Sequence, residues 1–239
     1  MSSHTFRLIL LVSFAHAMVH MFEHALPAVE QMIAEDFGVT TVETGALGTA
    51  WRLPFGLGAL LAGWLTDRYG SKRMLMIYLV GCMLTSVGVW WAPNWPILFL
   101  MMLMMGTFAS IYHPAGLSLL SRETTPETRG KALGWHGLFV SLGIALAPFL
   151  ASLVFASGNV TWQQYYLDLI PPAALIAIML LKLQVTSEIS RHGSSEHENS
   201  HKEPIPWKQF LLLVAAGALS GFVYASFLNF LPRYLDKTG

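Results

Sequence analysis

Charge is what this chain has least of. Lysine and arginine number 14 and aspartate and glutamate 14 in 239 residues, so charged side chains make up 12% of the sequence. An average soluble domain carries about 25%. Half that density, set between long apolar runs, excludes an ordinary water-soluble globule and marks an all-α integral membrane protein. The formal net charge is zero, so no basic surface is on offer to nucleic acid. Cysteine is nearly absent: Cys82 alone excludes an intramolecular disulfide framework and any multi-cysteine metal site. No Walker-type glycine loop, nucleophile elbow or nucleotide-binding run occurs, so neither ATP-driven transport within the chain nor an enzyme is expected. No cofactor is expected.

What the chain has instead is apolar length, 54% hydrophobic residues with a mean hydropathy of +0.52. About 20 such residues cross a bilayer as a helix. Seven runs qualify, near 8–27, 45–65, 74–92, 97–120, 132–156, 165–183 and 209–231. Arg7, the run Leu8 to Phe14 and Ala15-His16-Ala17 have the outline of a secretory signal. The apolar run continues through Leu26, however, and six more spans follow.

Lysine and arginine set the orientation. With the N-terminus inside, the inner segments hold Arg7; Arg68, Lys72, Arg73; Arg122, Arg129, Lys131; and Lys182, Arg191, Lys202, Lys208, which is eleven of the 14 basic residues. The outer loop 28–44 carries Glu30, Glu35, Asp36 and Glu43 and no basic residue. Trp90, Trp91, Trp95, Trp162, Tyr165 and Tyr166 mark the outer interface as an aromatic belt. The expected location is the cell (inner) membrane, multi-pass, with a cytoplasmic N-terminus.

Segment 184–206 is rich in Ser, His and Glu and reads as a cytoplasmic linker, with His192, His197 and His201 as weak metal candidates. It divides a six-helix bundle, 1–183, from a seventh span in 207–239. Leu8–Pro27 and Leu213–Pro232 both read as apolar helices ending in Leu-Pro, which fits a parallel-repeat plan of two six-helix bundles. The expectation is a chain truncated from a twelve-helix protein, lacking its C-terminal bundle.

The densest charge cluster of the first half is Gly63-Trp64-Leu65-Thr66-Asp67-Arg68-Tyr69-Gly70-Ser71-Lys72-Arg73. Gly63 suits close helix packing, Asp67 a cap on the next helix, and Gly70 a turn. Arg68, Lys72 and Arg73 keep the loop on the cytoplasmic side. This stretch resembles the signature loop between the second and third helices of the major facilitator superfamily of secondary transporters, at Gly63, Leu65, Asp67, Arg68, Gly70, Lys72 and Arg73. Arg129-Gly130-Lys131-Ala132-Leu133-Gly134 is similar to the family's loop between helices four and five. By that resemblance Arg129 meets Asp67 as a cytoplasmic gate. Gly134, Gly137, Gly143 and Pro148 partly resemble an antiporter signature in which Ala147 replaces a glycine. Tyr112-His113-Pro114-Ala115-Gly116 looks like the fosmidomycin-resistance-like branch. The resemblance implies a proton-coupled transporter of a small, anionic or amphiphilic, drug- or metabolite-like solute, an efflux protein included, working by alternating access with solute, protons and lipid as its partners.

Ionisable groups inside spans cost about 2.5–3.5 kcal/mol each on insertion scales, so those present are candidates for chemistry. Span one carries His16, His20, Glu23 and His24 as one polar stripe; span two carries Arg52; spans four and five carry His113 and His136; Asp168 reads as interfacial. At about 1.5 Å per residue, His20 and Arg52 fall roughly 10 Å below the outer surface and His113 and His136 roughly 6–10 Å from the inner one. The expectation is therefore an outer group, His20, Glu23 and Arg52, and a separate inner pair, His113 and His136. Arg52 suits an anionic substrate group, and Glu23 or His20 suits proton exchange. An ion pair of Glu23 with Arg52 that serves structure alone is the plain reading. His16 and His20 with Glu23 or His24 offer imidazole and carboxylate to a divalent transition metal, although three ligands from one helix seldom close a site. The His-x-x-x-His spacing of His16 and His20 occurs in membrane hydroxylases, but no second cluster repeats it. A non-transporting scaffold or sensor is the reading if the short chain is the native product.

Overall fold

Hydrocarbon offers no partner to a backbone N–H or C=O, so a chain this apolar satisfies each segment internally as helix. The computed structural model describes residues 3–156, 158, 160–185 and 206–238, and among them only helices, turns and short irregular connections occur. The helices are α1 (Ser3–Phe37), α2 (Thr41–Tyr69), α3 (Ser71–Trp91), α4 (Trp95–Ala109), α5 (Tyr112–Arg122), α6 (Pro126–Phe155), α7 (Trp162–Asp168), α8 (Ile170–Lys182) and α9 (Trp207–Thr238). The fourth expected span is α4 with α5, and the sixth is α7 with α8. Six helical stretches are long and apolar enough to cross a membrane. α2 has the length, 29 residues, but Arg52 and its glycines leave it less apolar than the rest. Most of the linker, with His192, His197 and His201, lies outside the described residues.

The chain divides into two compact units, Met1–Glu188 and Ile189–Gly239. The second contains the single long helix α9. In the first, α1 is the most enclosed helix, buried almost all round between Leu8 and Leu26. It packs most extensively on α6, and also meets α5, α8 and α2. The α6 face that carries buried residues is Ala132, His136, Phe139, Gly143, Ala147 and Ala151, a stripe at helical spacing made mostly of small side chains. A Cβ at Gly143 would collide with the backbone of Ala17. Close approach to α1 thus accounts for Gly143, whereas Gly134 and Gly137 face nothing within 4 Å.

Two tyrosines grip α1 from the other side. Tyr78 on α3 donates to the carbonyl of Ala15 at 3.1 Å, and Tyr112 on α5 to that of Val12 at 2.8 Å. At the far end Trp162 and Gln163 donate to Asp36, at 2.9 and 3.0 Å, and Thr44 donates to Glu30. α2 opens with a capping box: Glu43 accepts from the N–H of Thr40 at 2.7 Å and from its hydroxyl at 2.8 Å. These bonds hold the Glu43 carboxyl below the ordinary carboxylate range.

Proline shapes the interior. The helices expected to end at Leu26-Pro27 and Leu231-Pro232 run on to Phe37 and Thr238. A proline costs the helix one donor and leaves the carbonyl four residues earlier unclaimed, and buried neighbours hold α1 together through the defect. That freed carbonyl in α1 belongs to Glu23. The same loss at Pro114 falls on Ser110, where the helix does break: α4 stops at Ala109 and α5 starts at Tyr112. His113 therefore sits in the first turn of a new helix.

Candidate functional site

The polar stripe of α1 lies inside the first unit. His16, His20 and His24 are buried, at 4%, 9% and 5% exposure, and Glu23 is half-buried. Glu23 divides its carboxylate among three neighbours. Oε2 stands 2.8 Å from His20 Nδ1 and 3.8 Å from His24 Nε2, while Oε1 stands 3.8 Å from Nε of Arg52 on α2.

The expected separation of an outer group from an inner pair does not hold. His16 joins them into one cluster, because it lies one turn below His20 and reaches both α5 and α6. Its ring stacks on that of His136, centroids 3.9 Å apart, and lies 5.2 Å from His113. His20 lies 6.0 Å from His113. Depth counted from span ends set the two groups apart because it ended the first span at Pro27, whereas α1 runs on to Phe37.

Hydrogen bonds link the members of the cluster. His16 Nδ1 donates to the carbonyl of His136 at 3.2 Å. His16 Nε2 and His20 Nε2 are 3.3 Å apart, and His20 Nδ1 is bonded to Glu23. The three contacts form one continuous chain from the His136 carbonyl through His16 and His20 to Glu23.

Tyr112 belongs to this site, and the stripe of ionisable residues did not point to it. Its ring stacks on His16 at 4.8 Å while its hydroxyl holds Val12. The available signal was its chemistry: a tyrosine deep in an apolar span needs a partner for its O–H. Phe55 on α2 closes another side, 5.6 Å from His113.

The charged hairpin places its residues differently from the expectation in three respects. Gly70 is the whole turn between α2 and α3, at φ 87°. Asp67 lies in the last turns of α2 and caps nothing, since α3 starts at Gly70 without a side-chain cap. Asp67 pairs with Arg122 at 3.7 Å, not with Arg129. Arg129 turns back onto the carbonyl of Ser121 in the last turn of α5, at 3.2 Å, and onto that of Thr124 in the connection after it, at 3.5 Å. A Cβ at Gly63 would meet nothing within 4 Å, so close packing does not explain that glycine among the described residues. Arg68 lies over the rings of Trp64 and Tyr69, at 5.7 and 5.9 Å. Arg73 is exposed. Lys72 reaches the last carbonyls of the bundle, donating to Leu181 at 3.0 Å and Leu183 at 2.6 Å.

The family model of the Major Facilitator Superfamily matches residues 9–239. The chain belongs to that family. Membership sets it in a family of multi-pass membrane proteins whose named members here are transporters and resistance proteins. A puromycin resistance protein of Streptomyces alboniger is 31% identical over 160 residues, covering 66% of this chain and 30% of that protein. The fosmidomycin resistance protein of Escherichia coli (strain K12) is 26% identical over 203 residues, covering 81% of this chain and 45% of its own length. The 3-(3-hydroxy-phenyl)propionate transporter of the same organism is 31% identical over 151 residues, 62% of this chain and 36% of that one. Among solved structures, an inward-facing, occupied bacterial homologue of the human lysosomal transporter Spinster aligns with a TM-score of 0.76 at 15% identity, over 98% of this chain and 55% of that one. This likeness is one of fold. The superfamily chain thus spans half or less of the length of these curated relatives.

Proposed function

We propose that the protein is a proton-coupled secondary transporter of small organic anions that works by alternating access, of the fosmidomycin-resistance-like branch. The observation that carries this reading is the position of Glu23, between Arg52 on one side and His20 and His24 on the other. An incoming anion competes with Glu23 for the guanidinium, whose planar fork suits carboxylate and phosphonate alike. A carboxylate released from Arg52 turns wholly to His20, so anion and proton occupancy are linked through one side chain. Relatives support an anionic solute by name, among them the 3-(3-hydroxy-phenyl)propionate transporter and a probable L-galactonate transporter. The lysine and arginine distribution supports a cytoplasmic N-terminus in the inner membrane. On that side the hairpin residues Asp67, Arg68, Lys72 and Arg73, with Arg122 and Arg129, form the gate.

Because the chain spans about half or less of its relatives' length, the test uses the native gene product in proteoliposomes. The probes are 3-(3-hydroxyphenyl)propionate, L-galactonate and fosmidomycin. At least one is expected to move, and Arg52→Ala is expected to slow it about 10- to 100-fold, from the 1.5–3 kcal/mol of a charged hydrogen bond. Flux unchanged in Arg52→Ala would sink this assignment.

A further inference from the structure

His16 Nε2 and His20 Nε2 lie 3.3 Å apart. Two nitrogens held about 2.0–2.1 Å from one zinc ion at about 109° stand roughly 3.3–3.4 Å from each other. The far nitrogen of each ring is already anchored: His16 Nδ1 on the His136 carbonyl at 3.2 Å, His20 Nδ1 on Glu23 Oε2 at 2.8 Å. Metal-bound histidines almost always donate their second N–H to a carbonyl or carboxylate, which leaves the other lone pair for the ion. Both rings meet that condition. The third ligand comes from a different helix. His113 in α5 offers a nitrogen within 4.8 Å of those of His16 and His20.

We propose that His16, His20 and His113 form a binding site for a divalent transition metal of the zinc class, supported by Glu23 and the His136 carbonyl. Three neutral imidazoles suit zinc and its neighbours rather than magnesium or calcium. Glu23 sets its negative charge between the ion and Arg52. Three protein ligands leave a fourth position for water. The site ties α1 to α5 and takes the place of the hydrogen bridging the two rings. It stands on these distances and not on the transport reading: binding without transport leaves it intact, and transport without binding removes it alone.

Zinc titration of the purified full chain by calorimetry, with X-ray absorption at the zinc edge, tests it. The expected result is one ion per chain at this site, with zinc–nitrogen distances of about 2.0–2.1 Å. Affinity falls at least tenfold in His16→Ala and in His113→Ala, and about 10- to 100-fold in Glu23→Gln, which removes only the supporting charge. Replacing His192, His197 and His201 together with alanine leaves this binding in place. Circular dichroism melting of each variant without zinc checks that it folds, and where an alanine variant does not, Glu23→Gln and the absorption spectrum of the unaltered chain decide. The proposal is overturned if the chain binds no zinc, if binding disappears with His192, His197 and His201, or if His24→Ala abolishes binding while His113→Ala spares it.

Discussion

Glu23 holds two conversations at once, one oxygen toward Arg52 and the other toward His20 and His24. Pro27 adds to this by leaving the Glu23 backbone carbonyl without its helical donor. Around that residue the packing is tight in some places and slack in others, and the glycines report which. A Cβ at Gly106 would meet the backbone of Trp51, and one at Gly143 the backbone of Ala17. Overpacking of this kind costs about 1–3 kcal/mol. Gly106→Ala and Gly143→Ala are expected to lower the melting temperature in detergent, whereas Gly134→Ala, facing nothing within 4 Å, leaves it equal or higher. Equal loss at all three would show that the α1–α6 and α2–α4 approaches are not as close as described. Tyr112→Phe is expected to cost about 1 kcal/mol for its bond to Val12, read in the same melting experiment.

At the scale of elements, the turn from α2 to α3 depends on one residue. Gly70 takes φ 87° and ψ 145°, a region close to glycine-only, where another residue costs about 1–3 kcal/mol. Gly70→Ala is expected to destabilise by that amount in chemical or thermal unfolding; no change would mean that the two helices are joined in some other way. Nearby, Lys72 works as a cap for α8, since its ammonium meets the carbonyls of Leu181 and Leu183, where positive charge is favourable. The start of α2 carries a pH dependence. Glu43 has its carboxyl held below the ordinary range by the Thr40 N–H first and the Thr40 hydroxyl second. A depressed folded value stabilises above the unfolded one, and the gain is lost as pH falls through the folded value. Glu43→Gln is therefore expected to melt slightly lower than the parent near neutral pH, with the difference shrinking as the solution is acidified. A difference constant with pH would exclude the carboxylate as its source.

At the scale of the molecule, apolar length and the hairpin signature made the helical membrane fold legible, because a bilayer fixes span length and its solvent forbids alternatives. The stripe of His16, His20, Glu23 and His24 was legible as well, since α-helical spacing alone puts those residues on one face. What spacing could not supply was contact between helices. His113 and His136 were set apart from His20 by ending the first span at Pro27, whereas α1 runs on to Phe37 and His16 reaches both of them. Arg129 was matched to Asp67 by resemblance, yet the carbonyls of Ser121 and Thr124 claim it and Arg122 takes its place. Pro27 and Pro232 looked like helix ends, because a proline's local cost is visible in sequence, whereas the burial of α1 that offsets it at Pro27 is not.

The central claim is that anion movement and proton movement meet at Glu23. The most direct measurement records proton flux with a trapped pH-sensitive dye in proteoliposomes of the native gene product, driven by a gradient of 3-(3-hydroxyphenyl)propionate, L-galactonate or fosmidomycin. The expected result is proton movement with at least one of the three, abolished in Glu23→Gln. Proton movement that persists undiminished in Glu23→Gln, or transport of every probe without protons, would contradict it.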